Sequence, residues 1–214
     1  MGLICLQGGD EFADACRDMD ALLLDRAGGG PVVVLPYAAA PGRDRDTTGA
    51  NAAAYYRSLG AASVEVAPDD PEEARRAVDG ARLVVIPGGS PRRLKEALAA
   101  LAGALANAAA DPDTVVTGSS AGAMLLCATT VLPEPFATGE GLGLVDDFAV
   151  IPHYDGPRPD WENALRDAAP GTDLLGIPER SGVLLDAESV SAVGERAATL
   201  VTEDGRDLLA FEPS

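Results

Sequence analysis

The sequence predicts a three-layer αβα sandwich around a mainly parallel sheet, finished by antiparallel strands toward the C-terminus. Three observations carry that reading. Strand-like and helix-like segments alternate through the first ~130 residues, the pattern of parallel strands joined by crossover helices. Segments 32–35 (VVVL) and 83–86 (LVVI) are unbroken apolar runs, as strands covered on both faces are. Small-residue loops, Gly8-Gly9, Gly88-Gly89-Ser90 and Gly118 to Gly122, follow three of the strand segments. Open parallel sheets bind ligands outside such carboxyl ends.

In chain order, 3–7 is a strand running into Gly8-Gly9. Residues 11–27 carry Phe12, Ala15, Met19, Leu22 and Leu23 at helical spacing. Strand 32–35 is stopped by Pro36. A helix is expected over 47–59, with Thr47 or Thr48 as its N-cap and Gly60 ending it. Strand 62–66, a short helix over 71–78, strand 83–86, helix 91–109 and strand 114–117 follow. The next helix opens at the Gly118–Gly122 turn. Beyond about residue 130 the pattern shifts to short β-like runs at 142–145, 148–151, 182–185, 190–193, 199–201 and 208–211, interrupted by one helix near 160–168. These read as added strands of one domain spanning 1–214, without repeat or linker.

Composition bounds the function. The chain has 214 residues, 47% hydrophobic but only 4% aromatic, so Leu, Val and Ala must fill the core. Its formal charge is −18, from 34 acidic against 16 basic residues, with Lys95 the single lysine. Such a surface repels nucleic acid and anionic membrane. Cys5, Cys16 and Cys127 are odd in number and share no CxxC spacing, against a disulfide framework or zinc site. No metal or organic cofactor is implied. The apolar start is brief, without the basic lead and long apolar stretch of a signal peptide, and no run approaches the ~20 apolar residues of a membrane span. The expected location is the cytoplasm.

The sharpest motif is G-x-S-x-G at Gly118-Ser119-Ser120-Ala121-Gly122, set between a β-branched run and an apolar helical one. A serine held on a tight strand-to-helix turn needs neighbours two residues away on either side without side chains. The Ala121 N–H, at the helix start, can then face a developing oxyanion. The same small residues would also serve plain strand–helix packing. A nucleophilic serine needs a base, and the chain offers one histidine, His153, just after an apolar run. Imidazole, with an ordinary pKa of about 6.5, suits that duty near neutral pH. Carboxylates that can orient it are Asp155 and Glu179 downstream, and Glu140, Asp146 and Asp147 upstream. Cys127 lies too far along the helix to be an elbow nucleophile.

The order Ser120, His153, Glu179 differs from that of α/β-hydrolases, which place the acid before the histidine. With Pro87-Gly88-Gly89, Gly118-Ser119-Ser120-Ala121-Gly122-Ala123, Gly141-Leu142-Gly143-Leu144, Pro152-His153-Tyr154 and Gly176-Ile177-Pro178-Glu179, the chain resembles the peptidase S51 family, which includes dipeptidase E and cyanophycinase. The resemblance covers most of the chain and implies the class I glutamine amidotransferase-like fold. It implies Ser120 as nucleophile, His153 as base and Glu179 as third member, with Glu140 a rival. Gly88 or Gly89 with Ala121 would form the oxyanion hole, and Ser90 and Asp155 are substrate-binding candidates. Ser90 departs from the asparagine common in the family after the paired glycines. A substrate carboxylate would call for an arginine, with Arg43, Arg158 and Arg180 available.

The expectation is therefore a serine peptidase acting on small peptides, foremost an Asp-X dipeptidase. A hydrolase of isoaspartyl peptides or cyanophycin fragments comes second. A catalytically silent ligand-binding member of the fold is the reading of another class. The partner is a small peptide substrate, and a homo-oligomer is left open.

Overall fold

Strands written LICLQ and LVVI offer apolar side chains to both faces, so both must be covered. In the computed structural model, which describes residues 2–133 and 136–212, they are. Five strands, β1 (Leu3–Gln7), β2 (Pro31–Val34), β3 (Ser63–Val66), β4 (Leu83–Ile86) and β5 (Val115–Ser119), form a parallel set in the order β1-β5-β4-β2-β3. Alternate residues of these strands enter two separate apolar layers. Ile4, Leu6, Val84, Ile86 and Val116 pack with α3 (Pro71–Asp79), α4 (Pro91–Leu98), α5 (Ala102–Ala110) and α6 (Ala121–Leu126). Cys5, Val32, Val34, Leu83, Val85 and Val115 pack with α1 (Arg17–Arg26) and α2 (Arg43–Ser58). The result is the expected three-layer α/β sandwich.

The later strands divide between two sheets. β10 (Ser181–Leu185) adds antiparallel to β1, and β11 (Val190–Gly194) adds antiparallel to β10. The sequence predicts that the runs at 148–151, 199–201 and 208–211 join the same antiparallel finish, but a separate four-stranded sheet forms there. There β8 (Phe148–Pro152) pairs parallel with β9 (Asp173–Ile177), and β12 (Thr199–Val201) and β13 (Arg206–Leu208) complete the edge antiparallel. The sequence alone predicts neither β9 nor the hairpin of β6 (Thr129–Pro133) and β7 (Phe136–Glu140), and the strand it places over 208–211 lies instead at Arg206–Leu208. A small core of Val131, Ala149, Ile151, Leu165 and Leu174 joins these strands to α7 (Pro159–Ala168). Residues 142–145 contribute only an isolated bridge, Cys127 to Val145, rather than a strand.

Helix boundaries also move. The 11–27 segment is helical only from a 3-10 turn at Asp14–Cys16 onward, and its first residues form an irregular loop instead. α2 starts at Arg43, after Gly42 with φ 84°, so Thr47 and Thr48 lie inside it rather than at its cap. The 91–109 helix is broken by a 3-10 turn at Ala99–Leu101. Among the described residues no helix is long and apolar enough to cross a membrane.

One buried polar group stands under the sheet's ligand edge. Asp20, 1% exposed, accepts hydrogen bonds from Gln7 Nε2 (2.8 Å) and the hydroxyls of Tyr55 (2.8 Å) and Tyr56 (3.4 Å). Burial pushes its carboxyl up to about 6, against the lowering effect of those three donors. The native protein therefore holds this proton to higher pH than the unfolded chain does. The stability tied to Asp20 is fully present below pH 3.8 and is lost as pH rises to about 6. Thermal midpoints of wild type and Asp20→Asn measured from pH 4 to 7 should shift in favour of the variant as pH rises. A difference that stays constant with pH would show that Asp20 does not titrate in that window.

Candidate active site

Because β1, β4 and β5 are parallel neighbours, the loops after them meet at one edge; Gln7 stands beside Ser119 and Ile86 beside Gly118. At the end of β5 the chain turns sharply into α6. Ser120 sits on that turn with φ 48° and ψ −107°, a strained conformation for a residue with a side chain. The flanking glycines are dictated by contact. A Cβ on Gly118 would stand 2.5 Å from the Gly122 carbonyl carbon, and one on Gly122 would stand 2.2 Å from the Ile86 carbonyl oxygen.

His153 and Glu179 arrive together from the second sheet. β8 and β9 are parallel, with Pro152 opposite Ile177, so the residues that follow them emerge side by side. The Tyr154 N–H donates to the Ile177 carbonyl at 3.0 Å. His153 has φ 51° and Arg180 has φ 55°, so both segments bend sharply here.

What joins the two sheets at this point is the end of β1. The Gln7 carbonyl accepts the Ser120 N–H, the Gly8 carbonyl accepts that of His153, and the Gly9 carbonyl accepts that of Arg180, each at 2.9 Å. Gly9 (φ 124°) lies directly against the imidazole: a Cβ there would be 2.3 Å from His153 Cε1. Arg180 then ties the loop down from outside, donating to Asp10 (2.9 Å) and Glu195 (2.8 Å).

The side chains line up accordingly. Ser120 Oγ is 2.9 Å from His153 Nε2, and His153 Nδ1 is 2.9 Å from Glu179 Oε1. An ionised carboxylate only accepts, so Nδ1 carries the proton it shares with Glu179, and Nε2 is left to accept from the serine hydroxyl. The side chains of His153 and Glu179 are each 44% exposed, so solutes reach the relay directly. A hydroxyl so placed can pass its proton to the imidazole as it attacks an electrophile.

Other candidates lie elsewhere or are already engaged. Glu140 ends the exposed β7, and it is Glu179 that meets His153. Asp155 accepts from Arg196 at 3.0 Å. Ser90 caps α4, its Oγ accepting from the Arg93 N–H at 3.4 Å, and its own N–H donates to the Ala38 carbonyl. Arg180 is spent on Asp10 and Glu195, Arg158 lies 4.5 Å over the Trp161 ring, and Arg43 is exposed at the start of α2. The Ala121 N–H is at the first position of α6, among the amides a helix leaves without an internal partner. Cys127 is buried, its thiol pushed up to about 12 by desolvation, which disfavours the thiolate form. Among the described residues no group of three or more His, Cys, Asp or Glu side chains is disposed to hold a metal ion.

One participant was not foreseen. Glu11 reaches into the site, its Oε1 accepting the Gly88 N–H at 2.7 Å and its Oε2 the Ser119 hydroxyl at 2.8 Å. The expected oxyanion donor Gly88 is thus occupied by a carboxylate. The sequence signal is an acidic pair, Asp10-Glu11, immediately after Gly8-Gly9, of which helical spacing assigns Glu11 to a helix over 11–27.

A serine on a strand-to-helix elbow at the carboxyl edge of a parallel sheet, met by an imidazole that follows a strand of the second sheet, is the arrangement of an α/β serine-hydrolase class of site. The chain belongs to peptidase family S51, whose model matches residues 3–193, and it is a serine-type peptidase. Among solved structures, a peptidase from an acI-B1 Actinobacterium superposes with a TM-score of 0.82 at 19% identity, covering 100% of this chain and 96% of that one. A putative peptidase E protein from Listeria monocytogenes EGD-e gives 0.63 at 16% identity, covering 91% and 99%. No curated protein matches the chain.

Because Gly9 has positive φ and touches the imidazole, Gly9→Ala should push His153 off Ser120. We expect activity to fall by about a hundredfold or more, as for ångström-scale misplacement of a catalytic group. Activity within a few-fold of wild type would show that the loop does not set the ring's position.

Proposed function

We propose that the protein is an Asp-X dipeptidase working through a Ser120–His153–Glu179 triad and an acyl-enzyme. The observation that carries the mechanism is the continuous pair of 2.9 Å contacts from serine to imidazole to carboxylate. Ser120 Oγ attacks the peptide carbonyl carbon while its proton moves to His153 Nε2. The tetrahedral oxyanion is held by the Ala121 N–H and, once it is free, the Gly88 N–H, with Gly89 lining the same turn. The C–N bond then breaks, and His153 returns that proton to the departing amine. Water attacks the ester, gives a proton to the same nitrogen, and the acid leaves as Ser120 Oγ is reprotonated. Glu179 keeps the Nδ1 proton in place and stabilises the imidazolium formed in each half. The preference for an aspartyl residue rests on membership of the S51 family, to which the dipeptidase E resemblance belongs.

Ser120→Ala and His153→Ala should each lower kcat/KM by about a thousandfold or more, and the double variant should be little worse than either. Additive losses would mean that the two side chains do not act as a unit. A fluorophosphonate probe should label wild type and not Ser120→Ala. Labelling that survives the substitution, or never occurs, would remove Ser120 as the nucleophile.

The substrate class is tested separately, by hydrolysis of a panel of Asp-X, Glu-X, β-aspartyl, β-aspartyl-arginine and neutral dipeptides. Asp-X should be cut fastest. A preference for the β-linked members would replace that assignment with the isoaspartyl or cyanophycin-fragment reading while leaving the triad intact.

A further inference from the structure

Glu11 has no part in the triad, yet it faces the nucleophile across Gly88: a Cβ built on Gly88 would be 3.2 Å from both Glu11 Oε1 and Ser120 Cβ. Its two partners, a main-chain amide and a hydroxyl, are both uncharged. The loop that presents it is strained on either side, with φ 57° at Asp10 and 65° at Phe12. Both neighbours are anchored, Asp10 by Arg180 and Phe12 by its ring against Tyr55 and Tyr56 (centroids 5.4 and 6.2 Å). Backbone strain held in place by anchors on both sides marks a side chain whose position is imposed by its surroundings.

We propose that Glu11 is a specificity-determining residue. In the free protein it occupies the Gly88 donor, and it cedes that donor to substrates bearing a free α-ammonium beside the scissile carbonyl. This rests on the serine-triad reading above. An oxyanion cannot use the Gly88 N–H while a carboxylate holds it, and two negative oxygens at one donor repel. A carbonyl entering the site must therefore displace Oε1. Oε2 stays tethered to Ser119, so the carboxylate remains at the site with one oxygen unpaired. An N-terminal residue brings a cation two bonds from its carbonyl carbon, which can take that oxygen in a charge-assisted hydrogen bond. An internal or N-acylated residue brings only a neutral amide there and leaves the displaced carboxylate poorly paired. Discrimination arises because the compensation comes with the displacement, in the reacting geometry.

The test compares wild type, Glu11→Ala and Glu11→Gln on the fastest-cut dipeptide and its N-acetyl form, alongside the rate of Ser120 labelling by a fluorophosphonate, which carries no ammonium. Wild type should favour the free amine. Both variants should lower that kcat/KM ratio by about tenfold or more, the worth of one charge-assisted hydrogen bond. Glu11→Ala, which empties the donor, should also label about tenfold faster. Glu11→Gln keeps the shape, so an unchanged thermal midpoint there separates the lost charge from lost folding. An unchanged ratio in both variants, or slower labelling of folded Glu11→Ala, would overturn the proposal; slower labelling would mean that Glu11 props Gly88 in place. Absence of labelling in all three proteins sinks the triad reading, and this one with it, whereas labelling with an unchanged ratio sinks only this one.

Discussion

Three successive carbonyls hold the site together. Those of Gln7, Gly8 and Gly9 each accept one main-chain N–H, from Ser120, His153 and Arg180 in turn. The first belongs to the parallel sheet and the other two to segments that leave the second sheet. The junction sets the edge where serine and imidazole meet, beside a core the two sheets share, which takes in Val150, Leu175 and Ile177 of the second sheet. Main-chain hydrogen bonds suit that task because they fix position without side-chain rotamer freedom. The two glycines are required by the resulting crowding, since a Cβ at Gly8 would be 2.1 Å from the Pro178 carbonyl oxygen and one at Gly9 would strike the imidazole.

Local strain concentrates around that junction. Ser120, His153 and Arg180 all have positive φ, as do Asp10 and Phe12, and no other described residue with a side chain does. Each such residue costs of the order of 1–3 kcal/mol. The apolar layers on both faces of the central sheet and the buried Asp20–Gln7–Tyr55 hydrogen bonds give the rigid surroundings that keep these residues from relaxing. Gln7 belongs to both systems, its side chain donating to Asp20 and its carbonyl accepting from Ser120.

The site's charges are arranged internally. Arg180, one of three arginines the sequence offered, is shared between Asp10 and Glu195, and Asp155 is paired with Arg196. Such exposed pairs contribute little to stability individually, but they fix the loops that carry Glu179 and Glu11. Glu11 itself meets only uncharged donors, the Gly88 N–H and the Ser119 hydroxyl.

By itself the sequence determined the alternating core of the fold and the short list of candidate groups for the site. Apolar runs covered on both faces, helical spacing between them and a serine between glycines are local patterns, and local patterns survive in one dimension. A single histidine in the chain left one imidazole to meet Ser120. The sequence also carried the family resemblance that selected Glu179 among several carboxylates. Tertiary structure decided the rest. The second sheet, with its parallel β8–β9 pair, depends on pairings between distant segments that periodicity does not encode. Glu11 read as the start of a helix because Phe12, Ala15 and Met19 keep helical spacing, whereas the loop's anchors are Arg180, Tyr55 and Tyr56, far along the chain. The occupied Gly88 donor could be seen only once those anchors were in place, because a hydrogen bond between residues 77 positions apart is a fact of packing.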